Sequence, residues 1–240
     1  MKAEEFEKKI GKDLSEINMK DLNELMDQED IMMLLNDHDT AINACNKVLT
    51  ENLDPEVRSE FAPVKYYHEL YKQEEEIADI YNQYEVDKSP ENFVNRIKEF
   101  NKTSTSVGRL VSYIMLLKNV EGLDLTGEKD HIIAAIDDVI HILNSLDFSK
   151  GIGTVCDMVD ILYSIQQDYF EKYQVDVLDG RINKLNDIVA KLNEIMKEYY
   201  NNELEKIKEE IPDDAKPEDV GMLDVTKYKD AVNDEKPKQE

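Results

Sequence analysis

The sequence predicts an all-α protein, a multi-helix bundle with a long C-terminal coiled-coil-like helix and a flexible C-terminal tail. Three observations predict it. Apolar residues recur at the +3/+4 spacing of a helix face in one segment after another. Proline costs roughly 3 kcal/mol inside a helix, and residues 91–211 contain none. No stretch reads as a strand.

The elements follow in order. A short N-terminal helix ends near Gly11, and another holds Leu22, Leu25 and Met26. Ile31, Leu35, His38, Ile42, Cys45 and Leu49 form a helical stripe. Asp54-Pro55 pairs a capping residue with proline at the first helical position. Pro63 is expected to open the next helix, through Tyr67, Leu70, Ile77, Tyr81 and Tyr84. Ser89-Pro90 repeats the cap signature before Phe93, Ile97 and Phe100. Val107 to Leu117 is apolar nearly all round and is expected to be the central buried helix. Helices are then expected from about Glu128 to Leu146 and from about Thr154 to Tyr173, with a turn at Asp147–Gly153 between them. Asp179-Gly180 precedes or interrupts the last helix, whose stripe is Leu178, Ile182, Leu185, Val189, Leu192, Met196 and Tyr199. That is three heptads, enough for a coiled-coil seam or one edge of an antiparallel bundle. The stripe slips by one and resumes at Leu204, Ile207 and Ile211. Residues 1–88 and 89–211 are expected as two helical subdomains, split at Asp87–Pro90. Residues 212–240 hold Pro212, Pro217 and Pro237 and few large apolar side chains, and read as a polar, flexible tail.

Charge narrows the function. The chain has 54 acidic residues against 29 basic, a net charge of −25 spread over the helical segments. That field repels nucleic acid phosphates and anionic lipid, and it favours basic partners. Arg58, Arg96, Arg109 and Arg181 are the only arginines, too scattered for a phosphate clamp. Cys45 and Cys156 make no disulfide framework. The N-terminus lacks the apolar core of a signal peptide and no run is long enough to span a membrane. A cytoplasmic location follows as the expectation, or a virion-associated one for a chain of viral origin.

Few residues carry chemistry. Glu74-Glu75-Glu76-Ile77-Ala78-Asp79 places Glu76 with Asp79, and Glu75 with Asp79, on one helix face, where paired oxygens can hold Mg²⁺. This run resembles one motif of the all-α nucleoside-triphosphate pyrophosphatases, the MazG-like and dimeric dUTPase group. Asp157-Met158-Val159-Asp160 is a weaker echo. The resemblance implies a metal-dependent nucleotide hydrolase with Glu75, Glu76 and Asp79 as ligands. That family pairs a Glu-x-x-Glu helix with a Glu-x-x-Asp helix, and no Glu-x-x-Glu partner stands at suitable separation here. Glu74 falls within the Leu70, Ile77, Tyr81 stripe and is expected to bond a Tyr hydroxyl or a Lys. His131, Asp137, Asp138 and His141 share one helix but lack the spacing of a metal set, so surface ion pairing is expected. His38 and Cys45 are about 10 Å apart along their helix, too far for one ion. Nucleotide-binding and nucleophile-elbow motifs are absent.

The expected function is therefore non-enzymatic and without cofactor. It is an acidic helical interaction or assembly protein, of the composition common among virus and phage structural components. It docks protein partners, basic ones above all, through apolar helix faces, and the C-terminal helix can make a homo-oligomer. The first alternative is an acidic nucleic-acid mimic that blocks a DNA- or RNA-binding protein. The second is the all-α pyrophosphatase.

Overall fold

Polar side chains begin the first helices by accepting N–H groups that have no acceptor within the helix. The computed structural model describes residues 7–8, 11–26 and 37–210, which form eight α-helices and two 3-10 turns with no strand among them. Asn18 starts α1 (Met19–Met26): its Oδ1 accepts from the Lys20 and Asp21 N–H groups, and Asp21 Oδ2 accepts from the Asn18 N–H. Asp37 caps α2 (His38–Glu51), Asp54 caps α3 (Pro55–Asp87), Ser89 caps α4 (Pro90–Phe100) and Thr105 caps α5 (Ser106–Asn119). Then come α6 (Lys129–Ser145), α7 (Ile152–Tyr173) and α8 (Ile182–Glu210), with 3-10 turns at Thr126–Glu128 and Phe148–Lys150.

Pro63 does not open a helix. It lies buried inside α3, which runs unbroken for 33 residues. The proline removes the bond to the Ser59 carbonyl. It is tolerated because it packs against Gly151, where an added β-carbon would fall 2.4 Å from Pro63 Cβ. Burial along both sides of α3 outweighs the missing bond. Val57, Phe61 and His68 are buried on one side. Pro63, Leu70, Gln73 and Ile77 are buried on roughly the opposite side, at 3.6 residues per turn.

The first side closes a hydrophobic cluster of Leu14, Ile17, Leu22, Ala41, Ala44, Cys45, Val48, Val57 and Phe61. The buried face of α2 is thus Ala41, Ala44, Cys45 and Val48, one position away from the expected row of Ile42 and Leu49, which are half-buried. Two alanines at the contact let α2 lie close to α3. Ile31 and Leu35 lie outside the described residues. Asn52, buried just past α2, donates from Nδ2 to the Leu14 and Ile17 carbonyls at 3.0 and 2.9 Å, and its Oδ1 accepts from the Asp54 N–H at 2.8 Å.

The second side of α3 faces the bundle. α5 packs on α3, α6 and α7, and every residue from Ser104 to Leu117 is buried or half-buried. The expected central helix is therefore where its all-round apolarity placed it. α7 turns Val155, Met158, Val159, Leu162, Ile165 and Tyr169 inward. Its Tyr169 hydroxyl donates to the Leu125 carbonyl at 3.2 Å and its Tyr173 hydroxyl to the Leu123 carbonyl at 2.8 Å, which fixes the loop after α5.

Contacts divide the chain into two units, Met1–Asn193 and Glu194–Glu240. Asp87–Pro90, the expected subdomain boundary, lies inside the first. There Lys88 adopts a left-handed conformation (φ 52°) at the end of α3, and α4 turns back to pack on α3. Within the first unit α8 buries Leu185, Ile188 and Leu192. In the second, Tyr199 and Tyr200 of the same helix are exposed. The tail expected at 212–240 lies outside the described residues. No described helix is long and apolar enough to cross a membrane.

Candidate interaction surface

The inward stripe of α7 decides what its other face shows. With Met158, Leu162, Ile165 and Tyr169 buried, Asp160, Tyr163, Gln167 and Phe170 point to solvent at +3, +4, +3 spacing. Tyr163 is 40% exposed and Phe170 44%. α3, which packs on α7, adds Tyr71, 37% exposed, with the Tyr67 ring 4.4 Å from it. Glu74 follows one helical turn later.

The charges on this side are uncompensated. Burial, and then the Asp160 charge, hold the Asp157 carboxyl above its ordinary value. Glu74 is pushed up by desolvation and then by Asp157, although the residue keeps an exposed flank. The Tyr71 phenol is raised by Asp157 first. The Cys156 thiol is raised by burial and then by Asp160 and Asp157. Among the described residues no lysine or arginine bonds Glu74, Asp157 or Asp160. Some acids elsewhere are paired: Arg181 Nε and Nη2 donate to the two Asp137 oxygens at 2.7 and 2.6 Å, and Lys47 donates to Glu7 at 2.6 Å and Asp13 at 2.9 Å. Among the described residues Glu74 makes no hydrogen bond to the Tyr or Lys expected of it, and its nearest charge influence is Asp157. Burial first and a like charge second, Asp157 across the two helices for Glu74 and Asp160 on the same helix for Asp157, disfavour the ionised forms of both.

The residues singled out in the sequence scatter. Glu75 lies on the exposed side of α3, 3.8 Å from His38 Nε2. Glu76 is 3.9 Å from Lys72 Nζ, and with Asp79 it lines an open cleft of about 610 Å³ against Asn92, Arg96 and Glu99 of α4. No three His, Cys, Asp or Glu side chains converge as a metal site among the described residues. His131 pairs with Glu128 at 3.0 Å, Asp137 with Arg181, and Asp138 accepts from the Ser106 hydroxyl at 2.7 Å. His38 and the buried His68 share one hydrogen bond, Nδ1 to Nδ1, at 2.9 Å. Burial, and then His38, hold His68 below its usual value.

The α8 seam is also redistributed. Leu178 is buried in the turn before the helix, where Gln166 Oε1 accepts from the Val177 and Leu178 N–H groups. Leu185 and Leu192 are buried, Val189 and Met196 are half-buried, and Ile182 and Tyr199 are 43% and 54% exposed. Ile188, absent from the expected seam, is buried. Sequence reasoning named both Glu74 and Asp157 but had no signal that α3 and α7 would bring them together. The chain matches no family model, no curated protein and no solved structure.

Proposed function

We propose that the chain is a non-enzymatic helical interaction protein that receives a basic, partly apolar protein segment on the outer faces of α3 and α7. The observation that carries this reading is the set Glu74, Asp157 and Asp160, acids with no lysine or arginine partner among the described residues, on the same two helices as the exposed rings of Tyr71, Tyr163 and Phe170. A lysine or arginine from a partner relieves the repulsion there. The exposed aromatic rings along the same helices supply contact area and a cation–π surface. The net charge of −25 steers a basic partner toward the whole chain. An assembly role, including one in a virus or phage particle, is the setting this composition points to. The coiled-coil character of α8 belongs to the same proposal: Tyr199 and Tyr200 are the exposed residues through which a second copy would associate.

The test is binding of a basic Lys/Leu amphipathic peptide, followed by fluorescence anisotropy. Asp157→Asn with Asp160→Asn, and separately Tyr163→Ala with Phe170→Ala, are each expected to weaken binding, and a Glu/Leu peptide is expected not to bind. Binding that salt abolishes and the aromatic changes leave intact would favour the nucleic-acid mimic. Binding unaffected by either pair of changes would end the reading.

A further inference from the structure

Residues of four helices, α3, α5, α6 and α7, with Thr105 before α5, line a half-open cavity of about 390 Å³. Leu70, Val107, Ile142 and Met158 supply apolar wall. Lys65, Glu69, Ser106, Arg109, Asp138 and His141 supply the polar groups. Apolar wall beside convergent polar groups is a combination found in small-molecule sites, and here the polar side chains are the more numerous.

Arg109 is the unusual member. The chain has 54 acidic residues, yet no carboxylate bonds this half-buried arginine among the described residues. Its one partner is the Ser106 hydroxyl oxygen, 3.5 Å from Nη2, and that hydroxyl is itself committed to Asp138. Its Nε is buried without an acceptor. Glu69 is held by Lys65 at 3.5 Å, and burial pushes its carboxyl above the ordinary value. The cavity also meets the start of α5. Thr105 accepts the Gly108 N–H there, and the Ser106 and Val107 N–H groups have no acceptor within the helix.

We propose that this cavity binds a small monocarboxylate with a short apolar chain, its carboxylate on Arg109 and its chain against Leu70, Val107, Ile142 and Met158. The planar guanidinium fork matches a carboxylate in two-point geometry. At about 30 Å³ per water-sized group, the volume takes a ligand of up to about thirteen non-hydrogen atoms. A phosphate dianion fits less well. It meets Glu69 and Asp138 in the wall and the net charge of −25 outside, and it leaves the apolar wall unused.

Hexanoate, hexylamine and inorganic phosphate are the probes, added to the full chain and followed by thermal melting and ¹H–¹⁵N NMR. Hexanoate is expected to raise the midpoint, and hexylamine and phosphate are not. On the unaltered protein, hexanoate is expected to shift the amide signals of Ser106, Val107 and Arg109. Arg109→Gln is expected to abolish the response, and Arg109→Lys to weaken affinity about tenfold by keeping the charge without the fork. The proposal is overturned if hexanoate leaves the midpoint unchanged or shifts signals elsewhere only. It is equally overturned if phosphate binds as well as hexanoate, or if Arg109→Gln responds like the unaltered chain.

Discussion

The Gln73 side chain occupies the space that a β-carbon on Gly108 would need: Oε1 would lie 1.9 Å from it and Cδ 2.7 Å. Gln73 also ties α3 to the cap of α5. Its Oε1 accepts from the Thr105 N–H at 2.8 Å, and its Nε2 donates to Thr105 Oγ1 at 2.9 Å and to the Glu69 carbonyl at 2.7 Å.

Gly108→Ala is therefore expected to destabilise. Alanine normally improves a helix by about 1 kcal/mol over glycine, but here it displaces Gln73. A net loss of about 1–3 kcal/mol is expected in denaturant melts. In a Gln73→Ala background the same change should become neutral or stabilising. A double-mutant cycle reads the coupling, and additive losses would refute the account.

Asn52 holds the segment before α1 through the Leu14 and Ile17 carbonyls. Asn52→Ala leaves both acceptors buried and unsatisfied, at an expected cost of about 2–4 kcal/mol. Hydrogen exchange should show the loss first at residues 11–17. Unchanged protection there would mean that the loop is held by its apolar side chains alone.

The α3/α7 acids give a pH signature of definite sign. The folded values of Asp157 and Glu74 are raised above 3.8 and 4.5. The folded state then binds these protons more tightly than the unfolded one. Their charges lower stability at neutral pH, and the penalty fades as pH falls into the raised range. Asp157→Asn is expected to raise the melting midpoint at pH 7, with a gain that shrinks toward pH 4. A gain constant with pH would assign the effect to something other than charge.

Leu185→Ala, Ile188→Ala and Leu192→Ala should each cost about 2–5 kcal/mol, because all three are buried. Ile182→Ala and Lys184→Ala, on exposed positions, should cost little. Lys191→Ala should cost about 0.5–1 kcal/mol although its residue is exposed, since its ammonium sits 4.3 Å from the Phe148 ring centre. Thermal melts of the six variants check the order.

Much of the helical order was legible because it rests on local chemistry. Asp54-Pro55 and Ser89-Pro90 cap helices where the pairs occur, and α6 and α7 end within a residue or two of the periodic pattern. What failed depends on tertiary contact. Pro63 reads as a helix start until Gly151 is seen packing on it. The alanine face of α2 carries less apolar weight in the sequence than Ile42 and Leu49, yet close packing selects it. A heptad reading favours Ile182 and Val189 over Ile188, whereas the surrounding helices decide the buried line of α8. Of the interaction surface, the individual acids were visible and their meeting was not, since a separation of 83 residues between Glu74 and Asp157 leaves no periodic trace.

The two-sided burial of α3 has a mechanical consequence. At 1.5 Å per residue the helix is a rod of about 50 Å. Val57 and Phe61 belong to the N-terminal cluster, and Gln73 anchors the cap of α5 on the other side. Neither neighbourhood can melt without stripping one flank of a beam that the other still grips. Loosening at either end is thus transmitted along the rod, and the first unit should come apart in one step rather than two.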